Sequence, residues 1–250
     1  MDIKLYTLGG AFGMRNVSPF CLKLELLLTH HKLPFELIED PDPRKAPKGK
    51  LPYVAIDGVV IADSELIAYR LDELTNGQIY GGLSPKDNAH GTALTRLAEG
   101  HLYWMIVASR WLDDAWWPNV VNGFFHIVPR PFNHLVANIA RRSVRQTYHL
   151  QGIGRHSQEE QVVLAHRNFR ALDNAVSDSG FLFGDAPCIH DFAVTGILAG
   201  IFDQQPPTWI NAVADDYPAL RQYADRVQDA VGVYGRHLSP RVNEALPQGA

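Results

Sequence analysis

The chain has few of the features that would commit it to a specialised environment. Two cysteines in 250 residues are too few for a disulfide framework, so a reducing cytoplasm is the expected location. No apolar run approaches the roughly 20 residues that a bilayer-spanning helix needs. The longest, such as "GILAGIF" at 196–202, have the length of a core helix. There is no basic excess: Lys+Arg number 23 against 27 Asp+Glu, for a formal net charge of -4. That balance supports neither nucleic-acid binding nor a polybasic membrane anchor. Eleven histidines are present, but none falls in a His-Glu-x-x-His or Cys/His pattern with ligand spacing, and no metal is expected. The start "MDIKLYTL" reads directly as a strand, so no targeting peptide is expected either.

The remaining composition is that of an ordinary globular protein, 46% hydrophobic and 20% charged, long enough for one large domain or two small ones. "IKLYTL" (3–8) is a strand candidate, followed by the glycine-containing loop "GGAFGMRN". From Ser18 the period changes: Phe20, Leu24, Leu27 and Leu28 share one helical face, with Ser18 as cap and Pro19 in the first turn. "PFELIED" (34–40) is a second strand. "PYVAI" and "VVIA", joined by Asp57-Gly58, form a hairpin, and "SELIAYRLDEL" (64–74) is an amphipathic helix capped by Ser64. After "GQIYGGLSP" the pattern is helical only, over roughly 85–117, 133–149, 157–178, 189–202 and 217–232. Ser157 and Glu160 make a capping box, and an aromatic, proline-rich stretch, "WLDDAWWPNVVNGFFHIVPRPF", interrupts the bundle. The expected organisation is an α/β domain over 1–76, a linker over 77–84 and an all-helical domain over 85–250.

Three places in the first domain carry chemistry. Ser18-Pro19-Phe20-Cys21 stands where a dithiol protein of this β-α-β-β-β-α-like order, the thioredoxin-type plan, has Cys-x-x-Cys, with a hydroxyl in the reactive position. Pro52 opens a strand directly after a loop, the place where that plan has a cis proline facing the N-terminus of the first helix. Asp63-Ser64 begins the last helix, where free N–H groups and the helix dipole attract a carboxylate. Each also has a plain structural reading: Ser18 as an N-cap, Asp63-Ser64 as a capped helix start, Cys21 as a buried structural thiol. Tyr6 is a second candidate hydroxyl, although its place in "KLYTL" suits strand packing.

The strings "SPFCLKLE", "KAPKGKLPYV", "IADSELI", "LYW", "QGIGRHS", "FLFGDAP" and "YPALRQYADR" run through nearly the whole chain. Together they resemble the glutathione S-transferase superfamily, and within it the failed-axon-connections branch related to metaxins. The resemblance implies a thioredoxin-like N-terminal domain followed by an all-helical C-terminal domain. It implies glutathione as co-substrate, an electrophilic small molecule as second substrate, and a homodimer. Ser18 would donate to the glutathione sulfur and, with the helix N-terminus, favour the thiolate. Leu51 would pair with the cysteinyl backbone beside Pro52, Asp63 and Ser64 would hold the γ-glutamyl end, and Lys50 or Lys48 the glycyl carboxylate. Tyr103, Trp104, Arg110 and Trp111 would border the electrophile; the same residues also read as a helix stripe filling the core. In "APCIHDF", Cys188 replaces the hydroxyl that opens a buried helix in this superfamily, so half of the cap is weakened and Asp191 carries the rest. The alternative function is a non-catalytic binding or adaptor protein on the same fold.

Overall fold

The computed structural model describes residues 1–40, 42–126, 128–129, 132–176 and 180–237. Its four strands are β1 (Ile3–Thr7), β2 (Glu36–Glu39), β3 (Tyr53–Ile56) and β4 (Val59–Ala62). They form one mixed sheet in the order β2-β1-β3-β4, with β1 and β2 parallel and the other pairings antiparallel. The parallel pair needs a crossover, and α1 (Pro19–His30) supplies it. Asp57 and Gly58 both take positive φ, 50° and 84°, the twist a two-residue hairpin requires. Among the described residues between Asp40 and Leu51 the only helical element is a 3-10 turn at Pro43–Lys45, in keeping with three prolines in that stretch. Helix α2 (Ser64–Leu74) closes the α/β part. Its cap is Asp63, whose carboxylate accepts from the N–H groups of Glu65 and Leu66, and Ser64 occupies the first helical position. The assignment of Ser64 as cap is thus corrected by one residue, because an aspartate outside the helix reaches two orphan donors at once.

The segment between the two parts is pinned rather than slack. Asp72 accepts from the N–H groups of Ile79 and Tyr80 at 2.9 and 3.0 Å, and Ile79 is buried. Beyond it come α3 (Pro85–Leu97), a π-helical turn (Ala98–Leu102), α4 (Tyr103–Trp111), α5 (Trp117–Phe124), α6 (Phe132–Gln151), α7 (Gln158–Asp173), α8 (Ile189–Phe202), α9 (Trp209–Ala214) and α10 (Pro218–Val231). The single stretch expected over 85–117 is therefore broken by the π turn and stops at Trp111. The supposed interruption contains a helix, α5, started by Pro118 in its first turn. Helix α9 has only six residues, too short for a periodicity to register. The Ser157–Glu160 capping box is present. The end of the predicted 157–178 stretch and the tail from 238 onward lie outside the described residues.

Two helices hold the parts together. Every residue of α8 is buried, and α1 is buried along most of its length. They meet closely because α8 presents glycine to α1: a Cβ on Gly196 would lie 2.5 Å from the Pro19 carbonyl oxygen. The first turn of α1 is thereby seated directly on the helical part. Asp191, fully buried, receives the N–H groups of Cys188 and Leu182 at 2.9 Å each and the Tyr223 hydroxyl at 2.6 Å. The carboxylate half of the expected cap is intact and doubles as a clamp on the neighbouring loop and α10.

Candidate functional site

A cleft of about 610 Å³ opens between the sheet-bearing part and α4. Ser18, Lys50, Leu51, Pro52, Asp63 and Ser64 line one wall, and Tyr103, Trp104, Arg110 and Trp111 the other. These ten residues thus border the same space.

Ser18 is the N-cap of α1, in extended backbone, with its Oγ accepting from the Cys21 N–H at 3.4 Å. Accepting does not use the hydroxyl proton, which can turn to the Cys21 sulfur behind it or to the cleft in front. Asn16 sets its position: the Asn16 carbonyl oxygen accepts from the Ser18 N–H at 3.0 Å, while its amide donates to Thr7 Oγ1 at 2.7 Å. Sequence reading passed over Asn16, though an Asn two residues before a helix cap is the signature of an Asx turn. Cys21 lies behind Ser18 and is fully buried. Burial pushes its thiol above the ordinary range, and the neighbouring Ser18 and Thr7 hydroxyls offset only part of that. A thiol so placed is neutral at physiological pH and reads as structural. Tyr6 stacks on Tyr53 with centroids 4.2 Å apart and is not among the cleft-lining residues.

The Leu51-Pro52 peptide is cis. The ladder begins at Tyr53, so strand pairing does not take up the amide and carbonyl of Leu51. Asp63 adopts φ 90°, a backbone region that costs a non-glycine residue roughly 1–3 kcal/mol and recurs at ligand sites. That turn presents Ser64, buried at 6% exposure, whose hydroxyl makes no hydrogen bond among the described residues. Lys48 and Lys50 are exposed on the loop at the other end of the wall.

Beside Ser64 lies a charge network that sequence reading did not anticipate. Lys23 is 1% exposed; its Nζ donates to Glu99 Oε1 at 2.8 Å and Glu65 Oε2 at 3.3 Å. Arg96 meets the same two carboxylates at 3.4 and 3.6 Å. Glu65, Arg96 and Glu99 all line the cleft. Burial raises the Glu99 carboxyl above its usual range, against the pull of Lys23. The network joins α1, α2, α3 and the π turn, from positions up to 76 residues apart. No local pattern announces such a meeting.

On the opposite wall the aromatic side chains pack against one another and the arginine is held by protein groups. Tyr103 packs edge-on to Phe20 at 4.9 Å and to Trp104 at 5.6 Å, while Trp111 stacks on Phe124 at 5.7 Å. Arg110, expected at the border of an electrophile, has its guanidinium engaged. Nε donates to Gln204 Oε1 at 2.6 Å, one terminal nitrogen to the Val17 carbonyl at 3.3 Å, and the other to the Gly200 carbonyl at 2.6 Å. Burial lowers its pKa to about 10, so the group stays charged at neutral pH. Arg110 therefore braces the Ser18 loop against α8. The long loop after β1 is held away from the cleft. Phe12 inserts between Trp116 and Phe124, its carbonyl accepts from the Gln205 N–H at 2.7 Å, and residues 9–16 are not among those lining the space. Arg155 donates to the His149 carbonyl, a local contact only.

Known proteins frame this geometry. Residues 19–116 match the family model described as the glutathione S-transferase N-terminal domain, and residues 165–227 match the glutathione S-transferase C-terminal domain. An isoprene-epoxide–glutathione S-transferase of Rhodococcus sp. (strain AD45) is 30% identical over 239 residues, 90% of this chain and 98% of that protein. Failed axon connections of Drosophila melanogaster is 27% identical over 210 residues, 79% of this chain and 49% of that longer protein. Among solved structures, the beta-etherase LigF from Sphingobium sp. strain SYK-6 superposes with a TM-score of 0.57 at 21% identity, covering 91% of this chain and 95% of its own. A glutathione S-transferase from Methylobacterium radiotolerans, in complex with glutathione sulfonate, gives a TM-score of 0.56 at 18% identity, covering 97% and 100%. The sheet order, the two domain matches and the full-length Rhodococcus relative together show that the chain belongs to the glutathione S-transferase family.

Proposed function

We propose that the protein binds glutathione in this cleft and activates its thiol through Ser18 for attack on an electrophilic small molecule. The observation that carries the reading is the cleft wall itself: the Ser18 hydroxyl at the N-terminus of α1, the cis Leu51-Pro52 step, and a Ser64 hydroxyl without a partner among the described residues at the N-terminus of α2 all border one space. A tripeptide laid along that wall puts its sulfur at Ser18, its cysteinyl backbone at Leu51 and its γ-glutamyl carboxylate at Ser64, with Asp63 near the ammonium and Lys50 toward the glycyl end. A thiol with an ordinary pKa of roughly 8.5 is mostly protonated at neutral pH. A hydroxyl donor and a helix N-terminus both favour the anion. Without a second reactive thiol at this junction, the sulfur chemistry is that of the ligand, and mixed-disulfide exchange is not the mechanism. The electrophile occupies the aromatic side, between Tyr103, Trp104 and Trp111. Glutathione-bound neighbours of the same fold and a relative named as an isoprene-epoxide–glutathione S-transferase support the assignment. We further propose a cytoplasmic homodimer, to be checked by sedimentation.

Calorimetric titration of glutathione into the wild type, Ser64→Ala and Ser18→Ala tests the site. The expected result is micromolar-to-millimolar binding, weakened by Ser64→Ala, with the thiolate absorbance of bound glutathione reduced in Ser18→Ala. Absence of binding to the wild type would overturn the reading and leave a non-catalytic adaptor as the function.

A further inference from the structure

Helix α6 has two apolar faces, and the fold covers one of them. Asn133, Ala137 and Tyr148 are buried, Val144 borders the cleft, and Arg141 is held by the Trp111 and Leu112 carbonyls and the Asp114 carboxylate. These positions recur every three or four residues and define the inner face. Phe132, Leu135, Val136 and Ile139 share the outer face, and Leu150 continues it five turns on from Phe132. All five side chains are between 41% and 68% exposed, and none borders the cleft. The row runs about 27 Å along the helix. A continuous apolar row of that length on a protein surface calls for an occupant.

Charge narrows the choice. Helix α6 contains no Asp or Glu, nor does the whole segment from Ala115 to Gln158, in a chain that holds 27 of them. The net charge of -4 averages this segregation away. Of the arginines on α6, only Arg141 meets a carboxylate among the described residues. Arg142 and Arg145 are exposed along one flank of the apolar row. The other exposed apolar side chains in a cluster, on β4 and α2, share their elements with Glu65, Asp72 and Glu73 and lack this character. A second copy of the chain complements the row badly. An α6–α6 pair sets arginine against arginine or against apolar side chains, with no carboxylate from either helix. An apolar row flanked by unpaired cations and free of acids suits an anionic lipid surface, which takes the row into its acyl boundary and the arginines at its headgroups.

We propose that α6 docks the protein on an anionic membrane surface, lying flat with Phe132, Leu135, Val136, Ile139 and Leu150 toward the acyl chains and Arg142 and Arg145 at the headgroups. Lying on a bilayer differs from crossing one: among the described residues no helix is long and apolar enough to cross. Because Val144 of the same helix borders the cleft, docking holds the cleft roughly one helix diameter, about 10 Å, from the lipid. The proposal does not rest on the glutathione reading.

Co-sedimentation of the full-length protein with sucrose-loaded vesicles tests it, using phosphatidylcholine with and without phosphatidylserine. The expected result is binding to the phosphatidylserine vesicles, little to the neutral ones, and weakening as salt rises. Each arginine near an anionic surface strengthens binding by about fivefold, so Arg142→Gln with Arg145→Gln should weaken it by roughly twentyfold. Leu135→Ser with Ile139→Ser should weaken it by about tenfold or more, since the side chains no longer enter the acyl boundary. All four positions are exposed, so thermal melts should match the wild type and show that both variants are folded. No binding to phosphatidylserine vesicles, or binding unchanged in both double variants, would overturn the proposal. Loss in the arginine variant alone would reduce the contact to electrostatic adsorption and overturn it too. If vesicles are not bound but Leu135→Ser with Ile139→Ser lowers the mass found by sedimentation equilibrium, a second copy covers the row and the proposal fails. Glutathione titration of the same preparations is read separately, so failure at the membrane and failure at the cleft are told apart.

Discussion

Replacing Lys23 by Met removes a buried ammonium that sits behind the cleft wall and leaves its surroundings otherwise filled. The side chains of Lys23, Glu99 and Glu65 are 1%, 9% and 17% exposed, and the ammonium lies 2.8 Å from Glu99 and 3.3 Å from Glu65. Removing one member of a buried pair strands the remaining charge and typically costs about 3–5 kcal/mol. In a chain of this size that is roughly a 10 °C fall in Tm. Arg96 is half exposed and 3.4–3.6 Å from the same carboxylates, so it offsets only a fraction. The loss should also depend on pH in a definite direction. Burial already raises the Glu99 carboxyl, and Lys23 is the largest influence lowering it. Without Lys23 the folded-state pKa rises further above the unfolded value, so the folded state binds more protons. Its relative stability then grows as pH falls and is lost as pH rises through the folded pKa. Urea unfolding of wild type and Lys23→Met at pH 5 and pH 8 should show a larger deficit at pH 8, and adding Glu99→Gln should recover part of it. A deficit below about 1 kcal/mol, or one independent of pH, would refute the view that this network is an electrostatically tight joint between the two parts.

Other outcomes are equally direct. His190 is 3% exposed, its ring bonded to Thr95 at 3.1 Å and Asn88 at 2.9 Å, and burial lowers its pKa to about 4. The unfolded chain takes up that proton near pH 6.5, so stability present above 6.5 is lost as pH falls toward 4, by up to about 3 kcal/mol. Unfolding curves of wild type and His190→Gln measured across that window should converge at low pH; parallel curves would show that His190 is not the titrating group. At Gly91 an added Cβ would lie 2.2 Å from the same imidazole, which its two hydrogen bonds hold in place. Gly91→Ala should cost roughly 1–3 kcal/mol, whereas Gly100→Ala, with nothing within 4 Å of its Cβ, should be neutral or stabilising. Thermal melts of the two variants check both.

The α/β plan was readable wherever local rules decide the outcome. The Ser18-Pro19 cap, the Asp57-Gly58 hairpin and the Ser157–Glu160 box each depend on residues within a few positions of one another, and each formed as expected. Where the structure departs from expectation, the competing influence is equally local but finer than a periodicity can resolve. Asp63 displaced Ser64 as cap, and a π turn divided the long helix between α3 and α4. Helix α5 was hidden because its aromatic and valine residues read as an irregular run until Phe12 from the first loop packs against it. Asn16 was overlooked although its position relative to Ser18 could have drawn attention.

The sequence by itself therefore determined the family, the order of elements and the side chains bordering the cleft, because capping, turn and motif chemistry act over short distances along the chain. Only the tertiary structure decided which of those side chains are spent and which are free. Arg110 is consumed by carbonyls 93 and 90 residues away, Lys23 by carboxylates 42 and 76 residues away, and the Tyr103 and Ser64 hydroxyls are left without hydrogen-bond partners among the described residues. Whether a polar group is paired depends on what the fold brings to it from distant positions, and burial then sets the cost of leaving it alone. That information exists only once the helices have packed.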